Sequence, residues 1–135
     1  MVRIGSNGPY IELAVTGTPS GILSVKMASV GMEARATVQP HPAHAGFGDF
    51  VEYLAGLERR WRGWDGQRSW QSLEGELSIA ANHTGSHVEL RVDLQRCAFD
   101  GTGWAVHLVL ELDAGQELST VAAAVANELR GALMD

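Results

Sequence analysis

The chain has 135 residues, of which 45% are hydrophobic and 19% are charged, and its formal net charge is -6. This length and mixture indicate one globular domain with its own core. The acidic balance argues against nucleic acid as a partner, because that partner requires a clustered basic surface. No segment approaches the roughly 20 apolar residues that span a bilayer, and the first residues lack the apolar run of a signal peptide. We therefore expect a cytoplasmic protein that binds no membrane.

The charge is distributed unevenly along the chain. Residues 1–68 carry seven basic and six acidic side chains, whereas residues 69–135 carry three basic and ten acidic ones. An acidic second half suits a basic partner, although the same charge also serves solubility.

Three segments near the N-terminus, 10–16, 22–28 and 32–38, alternate between apolar and polar residues. Alternation with a period of two is typical of strands with one buried face. The expected inward side chains are Ile11, Leu13, Val15, Leu23, Val25, Met27, Met32, Ala34, Ala36 and Val38.

Two segments have apolar residues every three or four positions, which predicts helices over residues 46–62 and 116–131. Gly63 and Gly131 are the expected stops. The first stripe is Phe47, Phe50, Leu54, Leu57 and Trp61, and the second is Leu118, Ala122, Val125, Leu129 and Leu133.

Three more alternating segments, 70–81, 87–94 and 104–112, lie between the two helices. The turn sequence at 82–85 predicts that the first two form a β-hairpin. Within 70–81 the inward set is Leu73, Leu77 and Ile79. Counting back by two places Trp70 on the opposite, polar face, and the helical stripe places Trp61 in the core.

The predicted fold is therefore α+β, a single domain over residues 1–135 with element order β-β-β-α-β-β-β-α. Short turns favour a mostly antiparallel six-stranded sheet with both helices packed on one face. The residues expected to be almost fully buried are Leu54, Leu57, Leu77, Leu90, Leu108, Val125 and Leu129.

The segment from residue 62 to residue 70, R-G-W-D-G-Q-R-S-W, is the most distinctive of the chain. Trp and Arg are the side chains most enriched in binding hot spots. The alternative is a structural corner between helix and strand, in which the indole rings seal the core. The candidate binding residues are Arg62, Trp64, Asp65, Arg68 and Trp70.

The polar face of the predicted sheet is the second candidate surface. Paired carboxylates can perform acid–base catalysis only in a cleft that shifts their pKa values, and on an open sheet they form cross-strand charge pairs. The side chains expected on this face are Glu74, Glu76, Glu89, Arg91, Asp93, His107 and Glu111.

No catalytic motif, cofactor motif or metal site is predicted. The motifs G-x-S-x-G, H-E-x-x-H and Walker A are absent, and Cys97 is the only cysteine. A zinc site would need three converging ligands. His83, His87 and His107 could approach one another across the later strands, but their spacing is not diagnostic, and His41 and His44 lie in a proline-bounded loop.

A family resemblance rests on residues 50–94, which contain F-x-x-Y-L-x-x-L, R-G-W-D-G-x-R-x-W-x-S-L-E-G-x-L and G-x-H-V-x-L-x-V-x-L. This pattern, with L-D-A-G-Q-E-L before the last helix, resembles a family of small actinobacterial proteins of unknown function. The order of elements is also similar, in architecture only, to immunity proteins of contact-dependent bacterial toxins.

Three functional hypotheses follow. The first is a non-catalytic binding protein, in one form an immunity-type antidote to a toxin partner. The second is a small-molecule binder or enzyme with a pocket near Trp64, Arg68 and Trp70. The third is a homodimeric structural or regulatory subunit.

Overall fold

The computed structural model describes residues 1–5, 8–16, 21–40, 46–96 and 102–134 of the chain. The first half contains β1 (Val2–Ile4), β2 (Tyr10–Thr16), β3 (Ile22–Ser29), β4 (Met32–Val38) and α1 (Gly48–Arg59). The second half contains β5 (Gln67–Gln71), β6 (Leu77–His83), β7 (His87–Arg96), β8 (Trp104–Asp113) and α2 (Gln116–Met134).

The strands form two separate four-stranded sheets, so the expectation of one six-stranded sheet is wrong. The first sheet has the order β1-β2-β3-β4 and the second has the order β5-β6-β7-β8, and every neighbouring pair is antiparallel. The α+β class and the antiparallel pairing are confirmed. Alternation along a strand shows which face is buried, but it carries no information on which strands pair when they are far apart in the sequence.

One predicted strand, 70–81, is in fact two strands joined by a tight turn. Within this turn the Ser72 amide donates to the Leu77 carbonyl at 2.9 Å, and the Leu77 amide donates to the Ser72 hydroxyl at 3.1 Å. Gly75 has a φ of 78°, which glycine adopts without the steric cost of a side chain. Leu73 is therefore 51% exposed in the turn rather than inward.

The two helices pack against each other, and α2 also contacts β1, β2 and β8. A hydroxyl of α2 links the pair, because Ser119 donates to the Glu58 carboxylate of α1. Since α2 contacts strands of both sheets, the helices do not lie on one face of a single sheet as predicted. Apolar side chains from both sheets and both helices form one continuous core.

The predicted burial of the core residues is confirmed, because the spacing of apolar residues along each strand and helix identified the face that is turned to the core. All seven are at most 8% exposed: Leu54, Leu57, Leu77, Leu90, Leu108, Val125 and Leu129. The hairpin between β6 and β7 is confirmed as well, with Leu90 opposite Ala81.

Trp61 is an exception, since it is 47% exposed although the helical stripe placed it in the core. The helix ends at Arg59, and the next amides donate to carbonyls three residues back, as in Trp61 to Glu58 at 3.2 Å. This tighter turn no longer follows the period of 3.6 residues, so the indole is rotated out of the stripe.

Replacing Leu90 by Ala should lower the free energy of unfolding by about 2–5 kcal/mol, because a fully buried leucine leaves a cavity behind. Leu73→Ala is the matched control, since the same atoms are removed from an exposed turn, and it should cost well under half as much. Urea denaturation followed by circular dichroism measures both. Equal losses for the two variants would mean that the burial of β7 is misassigned.

Candidate functional site

The exposed side of the second sheet carries cross-strand rows of polar side chains. We call it the outer face and define it by Glu89, Arg91, Asp93, His107 and Glu111. In one row Asp93 lies opposite both Ser78 and His107, and in the next Arg91 lies opposite Ala80 and Val109. The rows arise because alternate residues of each strand point away from the core.

Ion pairs and hydrogen bonds connect neighbours on the outer face. Asp93 Oδ1 is 2.9 Å from His107 Nδ1, and the guanidinium of Arg91 is 3.3 Å from Glu89. His87 Nε2 approaches Glu111 to 3.8 Å. These groups remain open to solvent, with 60% of the Asp93 side chain and 66% of the Glu111 side chain exposed. Such pairs contribute little to folding because water screens them.

Two carboxylates on the outer face lie directly opposite each other. Glu89 on β7 is the cross-strand neighbour of Glu111 on β8. Like charges in this position destabilise a sheet, and the Arg91 guanidinium compensates the charge of Glu89 only in part. Folding alone does not favour this arrangement.

Small side chains create a depression of about 370 Å³ on the same side of the sheet. Ser69, Ser78 and Ala80 contribute to its lining, and Asp93 supplies a carboxylate at its border. The outer face is therefore polar and uneven, with an acidic rim.

Two predicted members of this surface lie elsewhere. Glu74 and Glu76 belong to the turn between β5 and β6, so their placement on the polar sheet face is wrong. Glu76 accepts a hydrogen bond from the Ser72 hydroxyl at 2.8 Å and another from the Gln39 amide, beyond the end of β4, at 3.1 Å. Its role is to connect the two sheets.

Trp70 faces the core and not the polar side, contrary to the prediction. The turn at 72–76 resets the alternation, so Trp70 lies opposite the buried Ile79. Its ring centroid is 4.5 Å from that of Phe50, and its Nε1 donates to Asp49 Oδ2 at 2.9 Å. Trp70 therefore anchors the start of α1 to the edge strand β5.

Arg68 lies on the same inner side, opposite Ala81. The Tyr53 hydroxyl donates to the Arg68 carbonyl at 2.9 Å. Burial raises the pKa of Tyr53, and the Arg68 guanidinium opposes that shift only in part, so the phenol remains a donor at neutral pH. Within the described part of the chain, Nη1 of Arg68 is buried without a hydrogen-bond partner.

Trp64 is half-buried and also makes internal contacts. Its Nε1 donates to the Ala81 carbonyl at 3.4 Å, and its ring meets His83 edge-on at 5.1 Å. Arg62 and Asp65, by contrast, are exposed. The predicted corner thus divides into an internal part and a solvent-facing part.

Trp61 is the exposed aromatic residue of this corner, and the sequence interpretation missed it. The Arg62 guanidinium stacks over its ring at 5.1 Å. Beside the indole is a cavity of about 430 Å³, bordered by Glu58 of α1 and by Gln116, Ser119 and Thr120 of α2. Trp61 is exposed because α1 ends at Arg59, and no pattern in the sequence indicated that the helix ends there.

The three histidines considered as zinc ligands have separate partners. The Gly85 amide donates to His83 Nδ1 at 3.0 Å, so His83 carries its proton on Nε2, which lies 2.7 Å from the Trp61 carbonyl. His87 bonds Ser86, and His107 bonds Asp93. Within the described ranges, three or more potential ligands nowhere converge on one point. His41, His44 and Cys97 lie outside the described residues.

Neither helix, over the residues that are described, combines the length and the apolar character needed to cross a bilayer.

Replacing Trp70 by Phe should lower the free energy of unfolding by about 1.5–3 kcal/mol, because the ring contact is kept but the hydrogen bond to a carboxylate is lost. Trp61→Phe is the matched control and should change it by less than about 0.5 kcal/mol, as expected for an exposed position. Thermal and denaturant melts of both variants provide the measurement. A neutral Trp70→Phe would show that the indole N–H does not anchor α1.

Comparison with curated proteins finds no match to this chain. Residues 11–132, by contrast, match a family described as a family of unknown function, DUF6228. The match extends from β2 into α2 and so includes every strand and helix except β1. It confirms the resemblance to a family without an assigned activity, and the chain belongs to the DUF6228 family.

Proposed function

We propose that this protein is a non-catalytic protein-binding domain and that the outer face is its contact surface. The observation that carries the proposal is the Glu89–Glu111 pair, two carboxylates directly opposite each other on exposed strands. A surface selected only for folding would avoid this repulsion. A partner that supplies positive charge removes it, so binding accounts for an arrangement that stability does not.

The charge of the surface specifies the chemistry of the partner. On the outer side of β7 and β8, Asp93, Glu111 and Asp113 are exposed and Glu89 is partly exposed, and Arg91 is the one arginine on that side. Charges arranged in this way attract a basic surface and speed its association, more at low salt than at high salt.

The shape of the surface favours a protein over a small molecule. Neighbouring strands lie about 4.8 Å apart, so the four strands present a surface of more than about 14 Å in width. Small ligands are bound in concave, mostly apolar sites, whereas a broad polar surface is typical of the rim of a protein interface.

The narrower form of the proposal is an immunity-type role, in which the partner is a basic toxin-like protein. The acidic outer face supports this form, because an antidote can act by covering a basic active surface without any chemistry of its own. The product of a neighbouring gene is the natural partner to test.

Glu111→Lys should separate binding from folding. The substitution places a cation opposite Glu89, so we expect the free energy of unfolding to rise by about 0.2–1 kcal/mol. The same change should weaken binding of the basic partner at least tenfold in calorimetric titration with the neighbouring gene product.

Glu74→Lys is the matched control, because it makes the same charge change in the exposed turn between β5 and β6, away from the outer face. It should leave the affinity unchanged. The proposal is wrong if the two variants bind equally, or if Glu111→Lys weakens binding only by unfolding the domain.

A second candidate function, binding of a small apolar ligand, is favoured by the cavity beside Trp61. Its indole borders about 430 Å³ between the end of α1 and the start of α2. This site replaces the pocket expected near Trp64 and Arg68, because the Trp64 indole bonds the Ala81 carbonyl and Arg68 lies on the inner side of the sheet.

The dye 8-anilinonaphthalene-1-sulfonate tests this cavity, because its fluorescence rises in apolar surroundings. If the cavity binds apolar molecules, the native protein should enhance the fluorescence and Trp61→Ala should remove most of that enhancement. Leu73→Ala, at another exposed apolar residue, should not. An enhancement that survives Trp61→Ala would exclude the cavity as the site.

A further inference from the structure

The two sheets have four edge strands, and three of them have features that limit pairing with another chain. β1 has only three residues. β4 carries the charged residues Glu33 and Arg35 on its exposed positions. On β5 the Tyr53 hydroxyl occupies the Arg68 carbonyl. Short length, charge and coverage are the usual means by which sheet edges avoid association.

β8 differs from the other three edges. It has ten residues, and β7 is the only described strand that pairs with it. Among the described residues, no loop or helix backbone bonds to the backbone of residues 104–112. In an antiparallel ladder every second residue of an edge strand directs its N–H and C=O away from the sheet. As far as the described ranges extend, β8 therefore presents a row of unused donors and acceptors.

The first seven residues of β8 offer no protection by charge, which is confined to Glu111 and Asp113 at its end. Residues 104–110 read W-A-V-H-L-V-L, with no Lys, Arg, Asp, Glu, Pro or Gly. Val109 is 41% exposed on the outer side. On the inner side, burial decreases toward the start of the strand, since Leu110 is fully buried whereas Val106 and Trp104 are only partly so. Within the described part of the chain, this end of β8 is therefore only partly covered.

We propose that β8 pairs antiparallel with β8 of a second copy of this chain, about a two-fold axis at His107. The two second sheets then form one eight-stranded sheet, and the interface is isologous, as in most homodimers. Pairing satisfies the unused backbone groups and covers the exposed start of the strand.

The self-complementary pattern of the strand supports the register. An axis at His107 places Val109 opposite the partner's Ala105 on the outer side, and Leu108 opposite the partner's Val106 on the inner side. Trp104 then meets the partner's Leu110. Glu111 falls opposite the partner's Gly103, so no two carboxylates of β8 face each other across the interface. An axis at Glu111 would oppose them directly.

The proposal is independent of the partner proposed for the outer face. A two-fold axis perpendicular to the sheet leaves both outer faces on the same side, so each remains open after dimerisation. Loss of the dimer and loss of the basic partner are therefore separate results, measured on different variants.

Sedimentation velocity on the full chain is the first test. The expected mass is twice the 14.5 kDa of one chain. The double variant Ala105→Lys, Val109→Lys puts like charges opposite each other in this register, and it should sediment as a monomer with an unchanged circular dichroism spectrum. Gln71→Lys, on the same side of the far edge strand β5, should remain a dimer. A native chain that is monomeric at all accessible concentrations overturns the proposal.

Cross-linking tests the register even if the double variant fails to fold. In a background with Cys97→Ser, His107→Cys places the two new thiols beside the axis, where mild oxidation should join the two copies. Gln71→Cys, in the same background, should give no covalent dimer. A covalent dimer through Val109→Cys but not His107→Cys, or a dimer that persists in the double lysine variant, excludes the pairing proposed.

Discussion

The turn between β5 and β6 is the constraint on which the rest of the second sheet depends. Hydrogen bonds between Ser72 and Leu77 close this turn and interrupt the alternation of side chains. The residues of β5 therefore point to the face opposite to the one that a continuous strand would give them. Trp70 thereby turns inward, contacts Phe50 and bonds Asp49 at the start of α1. The same turn connects the two sheets, because Glu76 bonds both Ser72 and the backbone beyond β4. Without this turn, the start of α1 would lose its contact with Trp70 on the edge strand.

The inner and outer sides of the sheets differ in character. The inner sides of both sheets are apolar and, together with the helices, form one core, since neither sheet alone could bury enough apolar area to fold. The outer face carries charged side chains that are open to solvent. There, the opposed carboxylates Glu89 and Glu111 cost stability in the isolated domain, whereas Val109 exposes apolar area beside them. Both features are unfavourable in water, and this cost is the basis of the protein contacts proposed above.

The tryptophans show how the same residue type serves opposite purposes within ten residues. The N–H groups of Trp64 and Trp70 donate to internal acceptors, and both rings pack against the core. This agrees with the interpretation of the segment as a structural corner. Trp61 lies just beyond the end of α1, stacks with Arg62 and borders a cavity. The hot-spot argument named Trp64 and Trp70, whose indole N–H groups bond internal acceptors, and did not name Trp61, which is exposed.

The sequence by itself determined which side of almost every element is buried, because alternation and helical stripes reflect burial directly; Leu54, Leu90 and Val125 lie in the core as their spacing requires. It also determined the hairpin of β6 and β7, whose turn and strands are adjacent in the chain. Only the tertiary structure decided that the strands form two sheets, that Trp70 points inward and that β8 lies at the edge of its sheet. These depend on contacts between segments far apart in sequence and on a five-residue turn that shifts the alternation by one, and a one-residue shift exchanges the faces of a whole strand.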